Sequence, residues 1–327
     1  MELPHDLERL IQDALAELGI KADSAKIAHK VKLLNLGLPA EDQFQVICAW
    51  LGKCDLIHKL DQVQAPLASR QTYQVPDLLA HFQEQGAFLI EVKVFGKQTL
   101  SLRADYLARL KAYATLVSKP LLIAWTFHGL WTLFDARHLK LAKTNFNIKH
   151  SEAMRQSLLG VLAGDCVFKL APGAGVHFEM SKDALEQVEE TDTRKVETWR
   201  MHIAKVGFTK GGGLPAANLH PETRQLLVAW DLEVHDDHHP DHIDRHFVVG
   251  DEGMQFAHMA LVQLLAWERG ADRAQDWRQI LRAPEITKTI VSFSAALDRA
   301  LAEGVVSHIF HLQPNDWGDL RRPAKQR

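Results

Sequence analysis

The stretch Tyr73–Lys97, YQVPDLLAHFQEQGAFLIEVKVFGK, decides how this chain is read. Its run Phe88-Leu89-Ile90-Glu91-Val92-Lys93-Val94-Phe95 has the composition of a buried strand, yet it admits a glutamate and a lysine two residues apart. Strand side chains alternate between faces, so Glu91 and Lys93 project together while Ile90, Val92 and Val94 occupy the other side. Asp77, directly after Pro76, is expected at one end of the preceding strand, where the chain returns to lie beside the first. Two carboxylates held close together resist joint ionisation unless a cation neutralises them. A hard divalent ion such as Mg²⁺ does so, using one or two carboxylates, a backbone carbonyl and waters. With a lysine beside it, such a site has the parts for metal-assisted phosphodiester hydrolysis: a metal, a positioned water and a cation for phosphate.

Working outward, the elements around this stretch are those of an α/β core. A strand near Leu56 precedes it, and Tyr106, Leu110, Tyr113 and Val117 mark one face of a helix from Ala104 to Val117, with Pro120 after its end. LLIAWTF and LWTLFDA then read as a buried strand and its hairpin partner across His128-Gly129. Upstream, Pro39, Glu41 and Asp42 mark the first turn of a helix running through Trp50. Leu7, Leu10, Ile11, Leu15 and Leu18 recur at helical spacing in a lead-in over residues 1–39.

Pro76-Asp77 followed by Glu91-Val92-Lys93 in an apolar strand resembles the PD-(D/E)XK nuclease superfamily, the restriction-endonuclease-like fold. DYLARLKAYATLVSKPLLIAW resembles the helix and next strand that follow the lysine in Holliday-junction resolvase-like and restriction-like members, and WTLFDARHL resembles the strand after it. The resemblance spans about residues 40–140. It implies a central mixed sheet flanked by helices, with Asp77 and Glu91 as ligands of Mg²⁺ or Mn²⁺, the Val92 carbonyl as a further ligand, and Lys93 acting on the attacking water. It also nominates three additional residues. Glu41 stands where many members carry an extra acid on an early helix, although an acid in a helix's first turn has a simpler dipole explanation. Arg109 and Tyr113 stand where some relatives carry Gln and Tyr; Arg109 departs from that pattern but suits phosphate binding.

The expected organisation is therefore an N-terminal helical segment (1–39), a nuclease domain (40–150), and a second α+β domain (151–327) for regulation, dimerisation or recognition. In that last part, RQLLVAWDLEV reads as a strand paired with HIDRHFVVG, and helices are expected over Met254–Trp267, Trp277–Leu281 and Ser292–Ala302, the last capped by Ser292 and stopped by Gly304. The segment HDDHHPDHIDRH offers His235, His238, His239 and His242 as metal ligands; it reads first as a solvated hairpin loop, since nothing in the sequence holds those imidazoles rigidly. Gly211–Gly213 lacks the lysine and hydroxyl of a phosphate-binding loop.

Composition narrows the function classes. With 327 residues, 46% hydrophobic, the chain is long enough for two or three globular domains, and a net charge of −3 excludes a uniformly basic polymer binder. Charge is local instead: between residues 91 and 150 basic residues outnumber acids, and Lys97, Arg103 and Lys111 are the expected phosphate contacts. The 3 cysteines, Cys48, Cys54 and Cys166, are odd in number and lack paired spacing, which suits reduced thiols. The acidic N-terminus does not read as a signal or transit peptide, and no apolar run is long enough to span a membrane. The reading is a cytoplasmic metal-dependent nuclease acting on DNA in preference to RNA, of the kind found among restriction and phage-defence effectors, with a homo-oligomer or partner-protein contact through its C-terminal part. The alternatives are an RNase of the same fold and a catalytically degenerate binding or assembly module.

Overall fold

The structure, a computed structural model, describes residues 40–61, 66–191, 194–250, 253–269 and 277–314. The expected helical lead-in over residues 1–39 lies outside the described residues. A helix over residues 40–50 (α1) leads into β1 (Cys54–Lys59), β2 (Leu78–Phe82) and β3 (Gly86–Val94). After β4 (Thr99–Arg103) and α2 (Ala104–Leu116) come β5 (Leu121–Phe127) and β6 (Leu130–Asp135).

These strands form a mixed 5-stranded sheet in the order β1-β2-β3-β5-β6. The pairs β1–β2, β2–β3 and β5–β6 are antiparallel, whereas β3 and β5 are parallel. A parallel pair needs a long crossover, and β4 with α2 supplies it. The β5–β6 turn is the expected His128-Gly129 pair, both with positive φ (51° and 80°), the two-residue turn whose twist suits a hairpin.

Both faces of the sheet are covered, which is why β3 and β5 read as almost continuous apolar runs. On one face Leu89, Ile123, Trp125 and Phe134 pack with Leu107, Leu110 and Ala114 of α2, beneath a small sheet of β4, β8 (Asn145–Lys149) and β7 (Lys140–Ala142). On the other, Ile90, Val92, Leu122 and Leu133 meet Phe44 and Ile47 of α1. That second core continues without interruption into the C-terminal half of the chain.

Two short helices, α3 (His150–Arg155) and α4 (Leu159–Ala163), lead into that half. There β9 (Val167–Leu170) is the centre of a 3-stranded sheet, with β15 (Met254–Phe256) and β16 (Val306–Phe310) at its sides. Around it pack α5 (Pro221–Ala229), α6 (Ala257–Arg269), α7 (Trp277–Leu281) and α8 (Phe293–Ala302). A buried polar link ties the two halves. Trp131 N–H on β6 donates to His258 Nε2 (3.1 Å), and His258 Nδ1 on α6 donates in turn to Asp165 Oδ2 (2.8 Å).

A separate 5-stranded sheet runs in the order β12-β11-β10-β14-β13. Its centre is a long hairpin of β10 (Gly175–Thr191) and β11 (Arg194–Lys210), 17 residues each, flanked by β12 (Leu214–Pro215), β13 (Glu233–His238) and β14 (His242–Val248). Two expectations for this half are corrected. RQLLVA is not a strand but the body of α5, which starts at Pro221 with His220 as its cap; only Glu233–His238 pairs with β14. Likewise Met254–Phe256, expected as the first turn of a helix, is the strand β15, because its backbone pairs with Val167–Lys169 before α6 begins at Ala257.

Candidate active site

The parallel register of β3 and β5 and the antiparallel register of β2 and β3 bring the expected site residues together. Leu78 pairs with Ile90, so Asp77, one residue earlier, stands opposite Glu91 at the open end of β2. Asp77 is fixed there by main-chain bonds: Val92 N–H donates to Asp77 Oδ2 (2.8 Å), and Leu60 N–H donates to the Asp77 carbonyl (2.9 Å). Val92, nominated for its carbonyl, therefore also positions the first acid through its amide.

Glu91 lies on the α2 face of the sheet and is 0% exposed. Its Oε1 accepts from Lys93 Nζ and from Tyr106 Oη in the first turn of α2. Its Oε2 is buried and has no hydrogen-bond partner. A buried carboxylate oxygen without a partner costs about 1–3 kcal/mol or more, and a bound cation removes that cost. Asp77, the unsatisfied Glu91 oxygen and the all-oxygen donor set suit a hard divalent ion.

Lys93 is the cation already in place. Burial acts to lower its pKa, but the charges of Glu91, Asp77 and Glu41 and its hydrogen bond to Glu91 outweigh burial and hold it above the ordinary lysine value. Its ammonium also lies 5.2 Å from the centre of the Tyr106 ring. Tyr106 is pushed far above the usual phenol range, first by burial and then by the negative charge and hydrogen bond of Glu91, so it serves as a proton donor to that carboxylate.

Glu41, expected as an additional acid, does face this cluster. Burial raises its pKa, the Lys59 bond opposes that, and the charge of Asp77 adds to it. Lys59 Nζ, at the end of β1, lies 2.9 Å from Glu41 and 2.8 Å from Asp42, so one lysine holds both acids of the α1 first turn. Arg109 lies one turn along α2 from Tyr106; its Nη1 donates to the Arg70 carbonyl (3.2 Å), and its charge is felt at the Tyr106 hydroxyl. Tyr113 lies two turns along and packs partly buried against the apolar layer beneath α2, outside the group around Glu91.

The three expected phosphate contacts are all exposed but differ in availability. Arg103 forms a two-pronged pair with Asp105 (3.0 and 2.9 Å), Lys111 lies 5.5 Å from the Phe146 ring centre, and Lys97 sits just past β3. Sequence reasoning missed Tyr106 as a site residue. Its helical spacing with Leu110 and Tyr113 marks it as core, and only the fold shows its hydroxyl reaching Glu91. A tyrosine in the first turn after a strand lysine was the available signal.

Comparison with known proteins finds a family that matches part of this chain. Residues 62–162 match the model of the archaeal Holliday junction resolvase family. The α/β unit resembles the PD-(D/E)XK-type nuclease fold of that family. Among solved structures, Archaeoglobus fulgidus Hjc, a Holliday junction resolvase from an archaeal hyperthermophile, aligns at 20% identity over 38% of this chain and 93% of its own, with a TM-score of 0.31. No curated protein matches. No helix among the described residues is long and apolar enough to cross a membrane.

Proposed function

We propose that residues 40–150 form a metal-dependent nuclease domain that hydrolyses DNA phosphodiester bonds, with Asp77, Glu91 and Lys93 as its catalytic residues. The observation that carries this reading is the fully buried Glu91, with one oxygen held by Lys93 and Tyr106 and the other without a partner, opposite an aspartate anchored by the next strand. Asp77 and Glu91 would hold Mg²⁺ or Mn²⁺, with the Val92 carbonyl as a further oxygen and Glu41 at its edge. The bound metal would supply Lewis acidity toward the phosphate and lower the pKa of a coordinated water. Lys93 stands ready to orient the attacking water and to stabilise charge gathering on the phosphate. Tyr106 and Lys93 together fix the Glu91 rotamer, leaving Oε2 for the ion. Arg109, Lys97, Arg103 and Lys111 are cations for the flanking backbone.

The match to a junction-resolvase family makes branched DNA the first substrate to test. A restriction or phage-defence setting, a cytoplasmic location, and recognition or dimerisation by residues 151–327 complete the proposal. The purified full-length chain should be incubated with a four-way junction, plasmid, linear duplex, single-stranded DNA and RNA, in EDTA, Mg²⁺ or Mn²⁺. DNA should be cut only with the metals, and Asp77→Asn and Glu91→Gln should each slow cutting by roughly a hundredfold or more. Full activity in excess EDTA, or undiminished cleavage by Glu91→Gln, would overturn this reading.

A further inference from the structure

We propose that the tip of the β13–β14 hairpin is a second metal site, for a first-row divalent transition ion of the Zn²⁺ type, held by His239, His242 and Asp244. It lies on a different sheet from the nuclease residues and uses a different donor set, two imidazoles and one carboxylate.

Three observations carry it. The first is convergence. His239 Nε2 and His242 Nε2 each lie 3.6 Å from Asp244 Oδ2, and the three donor atoms lie within 4.8 Å of one another. With metal–ligand bonds of about 2.0–2.1 Å, neighbouring donors of a tetrahedral site stand about 3.4 Å apart, so little movement is needed to close around an ion. This is the one such group of three or more among the described residues.

The second is the tautomer. His242 Nδ1 lies 2.8 Å from Asp241 Oδ1. A carboxylate there keeps the proton on Nδ1 and leaves the Nε2 lone pair directed at Asp244, the arrangement in which a histidine ligand is oriented by an outer carboxylate. The His239 and His242 rings stack at 4.2 Å and 15°.

The third is rigidity, which the sequence left open. His239 and His242 close the two-residue turn through Pro240-Asp241, with His239 N–H donating to the His242 carbonyl (2.9 Å). Proline pre-sets the turn. The neighbouring strand then clamps it: Lys182 N–H donates to the Asp241 carbonyl (2.9 Å), Lys182 Nζ donates to the His239 carbonyl, and His242 pairs with Ser181. His242 and Asp244 are two apart on β14, and His239 faces His242 across the turn, so all three side chains share one face of the sheet. Glu179, in register with Asp244 on β10, places another carboxylate next to the group. The site remains open to solvent, with side-chain exposures of 45%, 27% and 33% for His239, His242 and Asp244.

The test is Zn²⁺ binding to the metal-stripped full-length chain, by competition with a chromophoric chelator, with Co²⁺ absorption as a second reading. Glu91→Gln is the background, so that the nuclease site does not contribute. One equivalent should bind at micromolar concentration or tighter. His242→Ala should weaken it at least about tenfold, and Asp241→Asn, at an exposed position, should weaken it by about tenfold through the outer hydrogen bond. His177→Ala, at the neighbouring His177–His246 pair, should leave it unchanged. Circular dichroism checks folding of each variant. Wild-type Zn²⁺ affinity in both His242→Ala and Asp241→Asn, or no binding below millimolar Zn²⁺ in the parent, would overturn the proposal.

Discussion

Replacing Lys93 by methionine removes the charge beside Glu91 while keeping a long apolar stem. In the metal-free protein this strands a carboxylate whose side chain is 1% exposed, with only the Tyr106 hydroxyl left on its Oε1. Breaking a buried ion pair by removing one partner costs about 3–5 kcal/mol, but Lys93 is itself 26% exposed, so some of its interaction is screened by water. The expected loss in EDTA is therefore about 2–3 kcal/mol at pH 7. Metal should reverse the defect, because the ion supplies the missing positive charge, and Mg²⁺ should raise the stability of Lys93→Met more than that of wild type. Denaturant melts at pH 7 in EDTA and in Mg²⁺ give both comparisons. Equal midpoints for the two proteins in EDTA at pH 7 would refute the reasoning, since Lys93 would then not be what neutralises Glu91.

Lys97→Ala and Lys111→Ala should each lower the slope of log affinity against log salt by about 1, whereas Arg103→Ala should change it less because Asp105 already neutralises that side chain; anisotropy titrations of DNA in Ca²⁺ measure this, and equal effects at all three positions would count against it. His258→Ala should lower unfolding stability by about 2–4 kcal/mol, because it leaves the Trp131 amide buried without a partner and takes the imidazole from Asp165, which keeps only the backbone amide of residue 258; an unchanged urea midpoint would show that the link between the halves contributes nothing. The native protein should resist thiol reagents at pH 8. Burial pushes Cys54 and Cys166 up to about 12, leaving about one thiolate in ten thousand, and Cys48 is raised well above its ordinary value. All 3 cysteines should react once the chain is unfolded, and rapid labelling of the native state would contradict the burial.

The sequence by itself determined the α/β core. Strand alternation places Glu91 and Lys93 on one face, the helical stripe marks α2, and His128-Gly129 marks the β5–β6 turn, because each is a local pattern imposed by the backbone's own period. It could not determine what meets across those elements. Tyr106 has the spacing of a core residue, and only the crossover from β3 to β5 brings its hydroxyl onto Glu91. Glu41 reads as an acid complementing a helix dipole, and only the packing of α1 against the sheet sets it within the field of Asp77. In the C-terminal half the local signals misled. RQLLVA is apolar enough for either state, and the buried contacts of Leu226 and Leu227 in the continuous core decide for helix. In the long β10–β11 hairpin, β10 is hidden by its charge, and three register shifts break the two-residue alternation. The histidines at the β13–β14 turn are plain in the sequence, but their convergence depends on Lys182 from β10 clamping the turn, a contact 57 residues away along the chain. Local periodicity is encoded residue by residue; the meeting of distant side chains exists only once the strands are in register.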